Sequence, residues 1–387
     1  MSRALQPASL GISPGEAEEI RAYNENVFNL GALSSEVSFP LPDEPFVPFW
    51  ESLAAEARTR GAFAALREHL PQLRFPVRPG ISETEGYRAA TRRGVPPEEI
   101  PEATGLEIER PEAIELVIHE SPAGRIPLLI ARRREEFAAL LQALTKRNEP
   151  EPVPPAQGAL MVSGYNNWSR IRELRRQWEA LPEEERETPT WSEEFQRLQS
   201  RRELYQDRFI LLSDGPYSAV PAADLGLEEA EWRAISLALR RDHECAHYLT
   251  RRLFGSMRNN LLDELIADYT GLVGATGRFR AAWFLRFVGL EDFPLYRPGG
   301  RLDLYRGKPP LSDGAFRALQ TLVERAAENL ERFDAKLPAG PRGPEETALL
   351  IAALASLRLE DLAAGDAEER LSRTLAELRR RLHPAER

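Results

Sequence analysis

The 387-residue chain has little of what several protein classes require. Its single cysteine, Cys245, excludes an intramolecular disulfide framework and favours a reducing compartment. No stretch approaches the ~18 uncharged apolar residues of a membrane-spanning helix, and the N-terminal segment lacks the apolar core of a signal peptide. We therefore expect a soluble, cytoplasmic protein without a membrane partner.

Positive charge is not in excess either. The chain has 51 Lys and Arg against 61 Asp and Glu, a net charge of -10, and both signs are mixed throughout. Proteins that bind nucleic acids usually carry a basic face, so no nucleic-acid partner is expected. The arginine runs at 132–134 and 379–381 have acidic neighbours, which favours solvated surfaces over phosphate or lipid sites.

Hydrophobic spacing predicts a mainly helical chain with a small β-sheet. Apolar runs at 114–118 and 126–130 predict a β-hairpin with Pro127 on an edge strand, and a further strand is predicted at 209–212. From residue 227 onward the spacing is almost entirely helical. Helices are predicted there at about 227–254, 260–275, 277–289, 313–335, 345–358 and 367–382.

Histidine is scarce, yet two of the five histidines lie four residues apart in the HECAH segment, residues 243–247. Residues at this spacing point to the same side of a helix, and the helical wheel places His243 and His247 with Trp232 and Leu239 on an apolar face. We therefore predict that both histidines face the interior. Cys245 falls about 200° from His243 around the axis, too far to reach the same ion.

A third metal ligand is predicted on the next helix. Catalytic zinc usually has three protein ligands and an open fourth position. The segment around Glu264 is apolar on nearly every side, as in a buried helix, and burying Glu264 and Asp268 would cost several kcal/mol without a cation or strong donors. Because the two carboxylates share a face, we predict that Glu264 binds metal while Asp268 accepts the outer N–H of a ligand histidine.

The HECAH segment and the ELIAD segment, residues 264–268, together resemble the gluzincin class of metallopeptidases, whose HExxH helix is followed by a helix with a glutamate ligand. The resemblance covers roughly residues 232–274. It implies that His243, His247 and Glu264 bind one zinc ion and that Glu244 is the general base for a zinc-activated water. A peptide or protein is the implied substrate.

This resemblance also implies a zincin-like organisation of an α+β, mainly α-helical fold. We predict an N-terminal helical and loop region (1–105), an α+β metal-binding lobe (106–275) and a C-terminal helical lobe (276–387), with the HExxH helix between sheet and helical lobe. Three alternatives stay open. The chain could hydrolyse a non-peptide amide or ester, it could be a non-catalytic regulatory or binding protein that zinc stabilises, or the motif could be a chance match.

Zinc hydrolases usually need a further donor for the developing oxyanion. Tyr296, Arg297 and Tyr305 lie in the segment 291–310, which is predicted to be a long functional loop or a small lid. An ordinary loop role is favoured for each, so none belongs to the predicted site.

Overall fold

The computed structural model describes residues 11–34, 36–256 and 260–383. The chain is mainly helical with one small, four-stranded mixed sheet, which confirms the predicted α+β, mainly α-helical class. It divides into two compact units. Among the described residues, the first unit contains those up to Pro42, Ser121–Ala123 and those from Pro216 onward, and the second contains Asp43–Glu120 and Gly124–Gly215. Within these ranges no helix is long and apolar enough to cross a membrane.

The second unit carries the sheet. Helix α1 (Pro14–Tyr23) belongs to the first unit, and the second unit begins later, at Asp43. The helices of the second unit are α2 (Val47–Arg60), α3 (Ala62–His69), α4 (Glu85–Arg93), α5 (Arg134–Thr145), α6 (Trp168–Ala180) and α7 (Trp191–Leu198). Its strands are β1 (Ile114–His119), β2 (Ile126–Ala131), β3 (Ala159–Asn166) and β4 (Gln206–Ser213).

The strand order is β1-β2-β4-β3. β1 and β2 form the predicted antiparallel hairpin, β2 pairs with β4 in parallel, and β4 pairs with β3 in antiparallel fashion. The prediction that Pro127 lies on an edge strand is wrong, because β2 lies between β1 and β4. The proline is tolerated since pairing with β4 begins one residue later, at Leu128, so the missing N–H falls outside that ladder.

The first unit is built from helices. They are α8 (Glu229–Phe254), α9 (Leu261–Thr276), α10 (Ala281–Val288), α11 (Asp313–Ala335), α12 (Pro344–Ala355), α13 (Leu359–Leu362) and α14 (Ala367–Leu382). Asn260 caps α9 by accepting a hydrogen bond from the N–H of Asp263, as its sequence position predicts. The helix predicted from residue 277 begins only at Ala281, because Gly277 adopts φ +76° and ends α9.

Candidate metal centre

Helices α8 and α9 lie side by side and run in opposite directions, which brings the two sequence motifs together. His247 lies beside Glu264, while Leu239, two turns earlier on α8, lies beside Gly271 on α9. A Cβ built on Gly271 would be 2.6 Å from the backbone oxygen of Leu239. The absence of a side chain at this position therefore allows the close contact that places Glu264 at the histidines.

This close contact leads to a prediction for Gly271→Ala. The added methyl group would meet a backbone oxygen that cannot move without displacing α8, so we expect the free energy of unfolding to fall by about 1–3 kcal/mol. Urea denaturation measures it. Gly365→Ala is the matched control, because Gly365 is exposed and an added Cβ meets nothing within 4 Å. Equal stability of the two variants would show that the helices do not depend on this glycine.

The three predicted ligands converge on one point. His243 Nε2 lies 3.2 Å from His247 Nε2 and 3.6 Å from Glu264 Oε2, and His247 Nε2 lies 3.5 Å from Glu264 Oε1. Ligand atoms at 2.0–2.1 Å from a tetrahedral metal are about 3.3 Å apart, close to these separations. All three side chains are buried. This cluster could therefore hold a metal ion.

Glu244, the predicted general base, is buried beside the ligands on α8. Burial raises the pKa of its carboxyl group, while His243 and His247 act in the opposite direction. The charges that act on it come from His243, His247 and Glu264, so it lies against the candidate metal cluster.

A network of strong contacts holds the outer nitrogen of His243. The structure places Asp268 Oδ1 2.8 Å from His243 Nδ1, and the Tyr217 hydroxyl group donates to the same carboxylate at 2.5 Å. Arg301 donates to the other oxygen of Asp268 and, at 2.9 Å, to the Tyr217 hydroxyl group. His243 is thus held by a carboxylate that is itself fixed by a guanidinium and a phenol.

The charges at the site favour a cation. Burial alone would raise the pKa of Glu264, but the hydrogen bond from His247 and the nearby imidazoles hold it far below its usual value. Burial would also raise the pKa of Asp268, yet Arg301, His243 and Tyr217 together hold it below its usual value. Both carboxylates therefore remain ionised; Arg301 balances Asp268, and a divalent cation bound between the imidazoles and Glu264 would balance the charge of Glu264.

His247 has a different neighbour at its outer nitrogen. Asp263 Oδ1 lies 3.4 Å from His247 Nδ1, and both groups are buried. Burial would lower the pKa of His247, but Asp263 and Glu264 together raise it well above its usual value. Neither Nδ1 nor either oxygen of Asp263 has a hydrogen-bond partner among the described residues.

The segment after α10 supplies two side chains to the site, Arg301 and Tyr305. The Tyr305 hydroxyl group donates to Glu264 Oε2 at 2.8 Å. The other two candidates of this segment have local contacts instead, since Tyr296 donates to the carbonyl of Gly300 and Arg297 pairs with Glu291.

Sequence reasoning missed Tyr217, Arg301 and Asp263. The first two lie 26 residues before His243 and 33 residues after Asp268, in segments without periodic hydrophobicity. Asp263 could have been found, because it lies on the same apolar helix and the cost of burying a carboxylate applies to it as well as to Glu264.

Comparisons with known proteins identify no chemical activity for this chain. No curated protein matches the chain, and no solved structure does. One protein family, described as a family of unknown function (DUF7005), matches residues 7–366. Because this match spans nearly the whole chain, the protein belongs to the DUF7005 family.

Proposed function

We propose that this protein is a zinc-dependent hydrolase that cleaves peptide bonds. The observation that carries the proposal is the convergence of His243, His247 and Glu264 on one point, with the carboxylate of Glu244 beside them. Two imidazoles and one carboxylate are a ligand set of catalytic zinc, and three protein ligands leave a position open. Zinc bound in such a site acidifies water and polarises a carbonyl group.

The chain's own groups have distinct tasks in this reaction. The carboxylate of Glu244 accepts a proton from the attacking water and returns it to the departing amine nitrogen. Burial raises the pKa of its carboxyl group, which makes it a stronger base for the first transfer. Asp268 accepts the Nδ1 proton of His243, which leaves Nε2 free to bind metal.

Tyr305 is the donor that we assign to the developing oxyanion. Burial raises its pKa, so its hydroxyl group keeps the proton that it donates. The hydroxyl oxygen lies 2.8 Å from an oxygen of the ligand Glu264, which places it next to the reacting groups. A fixed donor of this kind stabilises negative charge that appears only in the transition state.

Tyr305→Phe tests this assignment. We expect kcat to fall by about 10²–10³-fold with KM little changed, because the hydroxyl group would turn from Glu264 to the oxyanion only in the transition state. Steady-state kinetics on a cleaved peptide measure both parameters. Tyr296→Phe is the matched control, since that hydroxyl group donates to a carbonyl within its own segment. Equal losses in the two variants would assign Tyr305 to loop structure alone.

The proposed function is tested by the purified protein with zinc, with a chelator, and with zinc restored. A quenched fluorescent peptide library, together with panels of small amides and esters, reports which bond is cleaved. We expect peptide cleavage that the chelator abolishes and zinc restores. Cleavage of small amides or esters alone would show that the protein is a hydrolase of non-peptide bonds. Zinc binding without any cleavage would support a binding or regulatory protein.

A further inference from the structure

The two ligand histidines are backed by carboxylates in very different surroundings. Asp268, behind His243, accepts hydrogen bonds from Tyr217 and Arg301 and lies 2.8 Å from Nδ1. Asp263, behind His247, lies 3.4 Å from Nδ1 and has no hydrogen bond to either oxygen within the described ranges. The carboxylate of Asp268 is therefore hydrogen-bonded at both oxygens, whereas that of Asp263 is hydrogen-bonded at neither within the described ranges.

The buried carboxylate of Asp263, which accepts no hydrogen bond among the described residues, needs a physical explanation. Asp263 is only 1% exposed, and a buried charged group without hydrogen bonds is strongly unfavourable. Its place in the first turn of α9 offsets part of this penalty, because the positive end of the helix dipole favours a carboxylate there. Nδ1 of His247 is also buried and unpartnered. Two complementary groups thus face each other without completing a hydrogen bond.

We propose that Asp263 is the positioning residue of the metal ligand His247. An imidazole that binds metal through Nε2 carries its proton on Nδ1, and Asp263 is the acceptor that faces this nitrogen. The two atoms are 3.4 Å apart, so an approach of about half an ångström brings them to hydrogen-bond length. The site then has two carboxylate–histidine pairs, which makes both imidazoles stronger metal donors.

The inference rests on the metal site of the proposed function and not on hydrolysis, so metal affinity tests it. Asp263→Ala should weaken zinc binding by about 10–100-fold, as expected when a carboxylate behind a ligand histidine is lost. Asp263→Asn should weaken zinc binding less, because the amide oxygen still accepts the Nδ1 proton. Competition with a chromophoric zinc chelator measures each dissociation constant.

The stability of the metal-free protein separates this role from a merely structural one. Asp263 accepts no hydrogen bond in the described structure and pairs there with His247 at 3.4 Å, so its replacement should lower the Tm of metal-free protein by less than the loss of Asp268 does. Asp268→Asn is the matched control and should lower that Tm, because Tyr217 and Arg301 lose their charged acceptor. Both replacements should reduce the rise in Tm that zinc produces.

Nitrogen-15 histidine spectra of the zinc-loaded protein give a direct readout. We expect a slowly exchanging Nδ1 proton for His247 in the wild type that is lost in Asp263→Ala. Unchanged zinc affinity in Asp263→Ala, or a fall in metal-free Tm equal to that of Asp268→Asn, would overturn the role of Asp263 alone. Failure of the wild type to bind zinc would overturn the proposed function together with it.

Discussion

Glu244→Gln is expected to remove nearly all hydrolytic activity and to leave zinc bound. Glutamine keeps the shape of the side chain but cannot accept a proton, so kcat should fall by about 10²–10⁴-fold, the range that general acid–base catalysis contributes. Zinc content should remain one ion per chain, because the proposed metal ligands are His243, His247 and Glu264. Kinetics on a peptide from the library and elemental analysis measure the two quantities.

The control for this replacement lies on the same helix. Glu231→Gln makes the same chemical change at an exposed position in the first turn of α8 and should leave kcat unchanged. A Glu244→Gln protein with wild-type kcat would show that another group accepts the proton. Loss of zinc from that variant would instead show that Glu244 belongs to the ligand set.

Glu264→Gln should have the largest effect on the metal. The binding free energy of zinc in a protein site is about 10–16 kcal/mol, so each of three or four ligands contributes about 4 kcal/mol. Zinc affinity should therefore fall by roughly 10³-fold when this charged ligand becomes a neutral amide. The ligand lies on the buried face of α9, where water cannot easily replace it. Competition with a chelator measures the change.

Glu194→Gln is a suitable control for the loss of a buried glutamate. Glu194 is 6% exposed and pairs with Arg197 in the second unit, so its replacement should not alter zinc affinity. If Glu264→Gln bound zinc as tightly as the wild type, the third ligand would have to be another group. Asp263 would then be the first to test, since it lies near His247.

The three residues of the candidate metal cluster could be brought together from sequence because each follows a local rule. Helical spacing places His243 and His247 on one face, and the cost of burying Glu264 on an apolar helix requires a cation or donors nearby. Tyr217 and Arg301 obey no such rule. They reach the site only through tertiary packing between segments that are far apart in sequence.

The fold shows the same division between local and non-local information. Helix bounds from residue 227 onward follow from hydrophobic spacing and from caps such as Asn260. The parallel pairing of β2 with β4 joins residues about 80 positions apart, for example Leu128 with Ile210, and leaves no local signature. For that reason the interior position of β2, and with it the setting of Pro127, could not be predicted.

Anomalous diffraction can show whether His243, His247 and Glu264 together hold one zinc ion. Data from zinc-loaded crystals on both sides of the zinc absorption edge locate the ion without reference to activity. We predict one anomalous peak per chain, about 2.0–2.1 Å from Nε2 of each histidine and close to the Glu264 carboxylate. A peak at other residues, or zinc-saturated protein with no peak at these three side chains, would show that they do not form the zinc site.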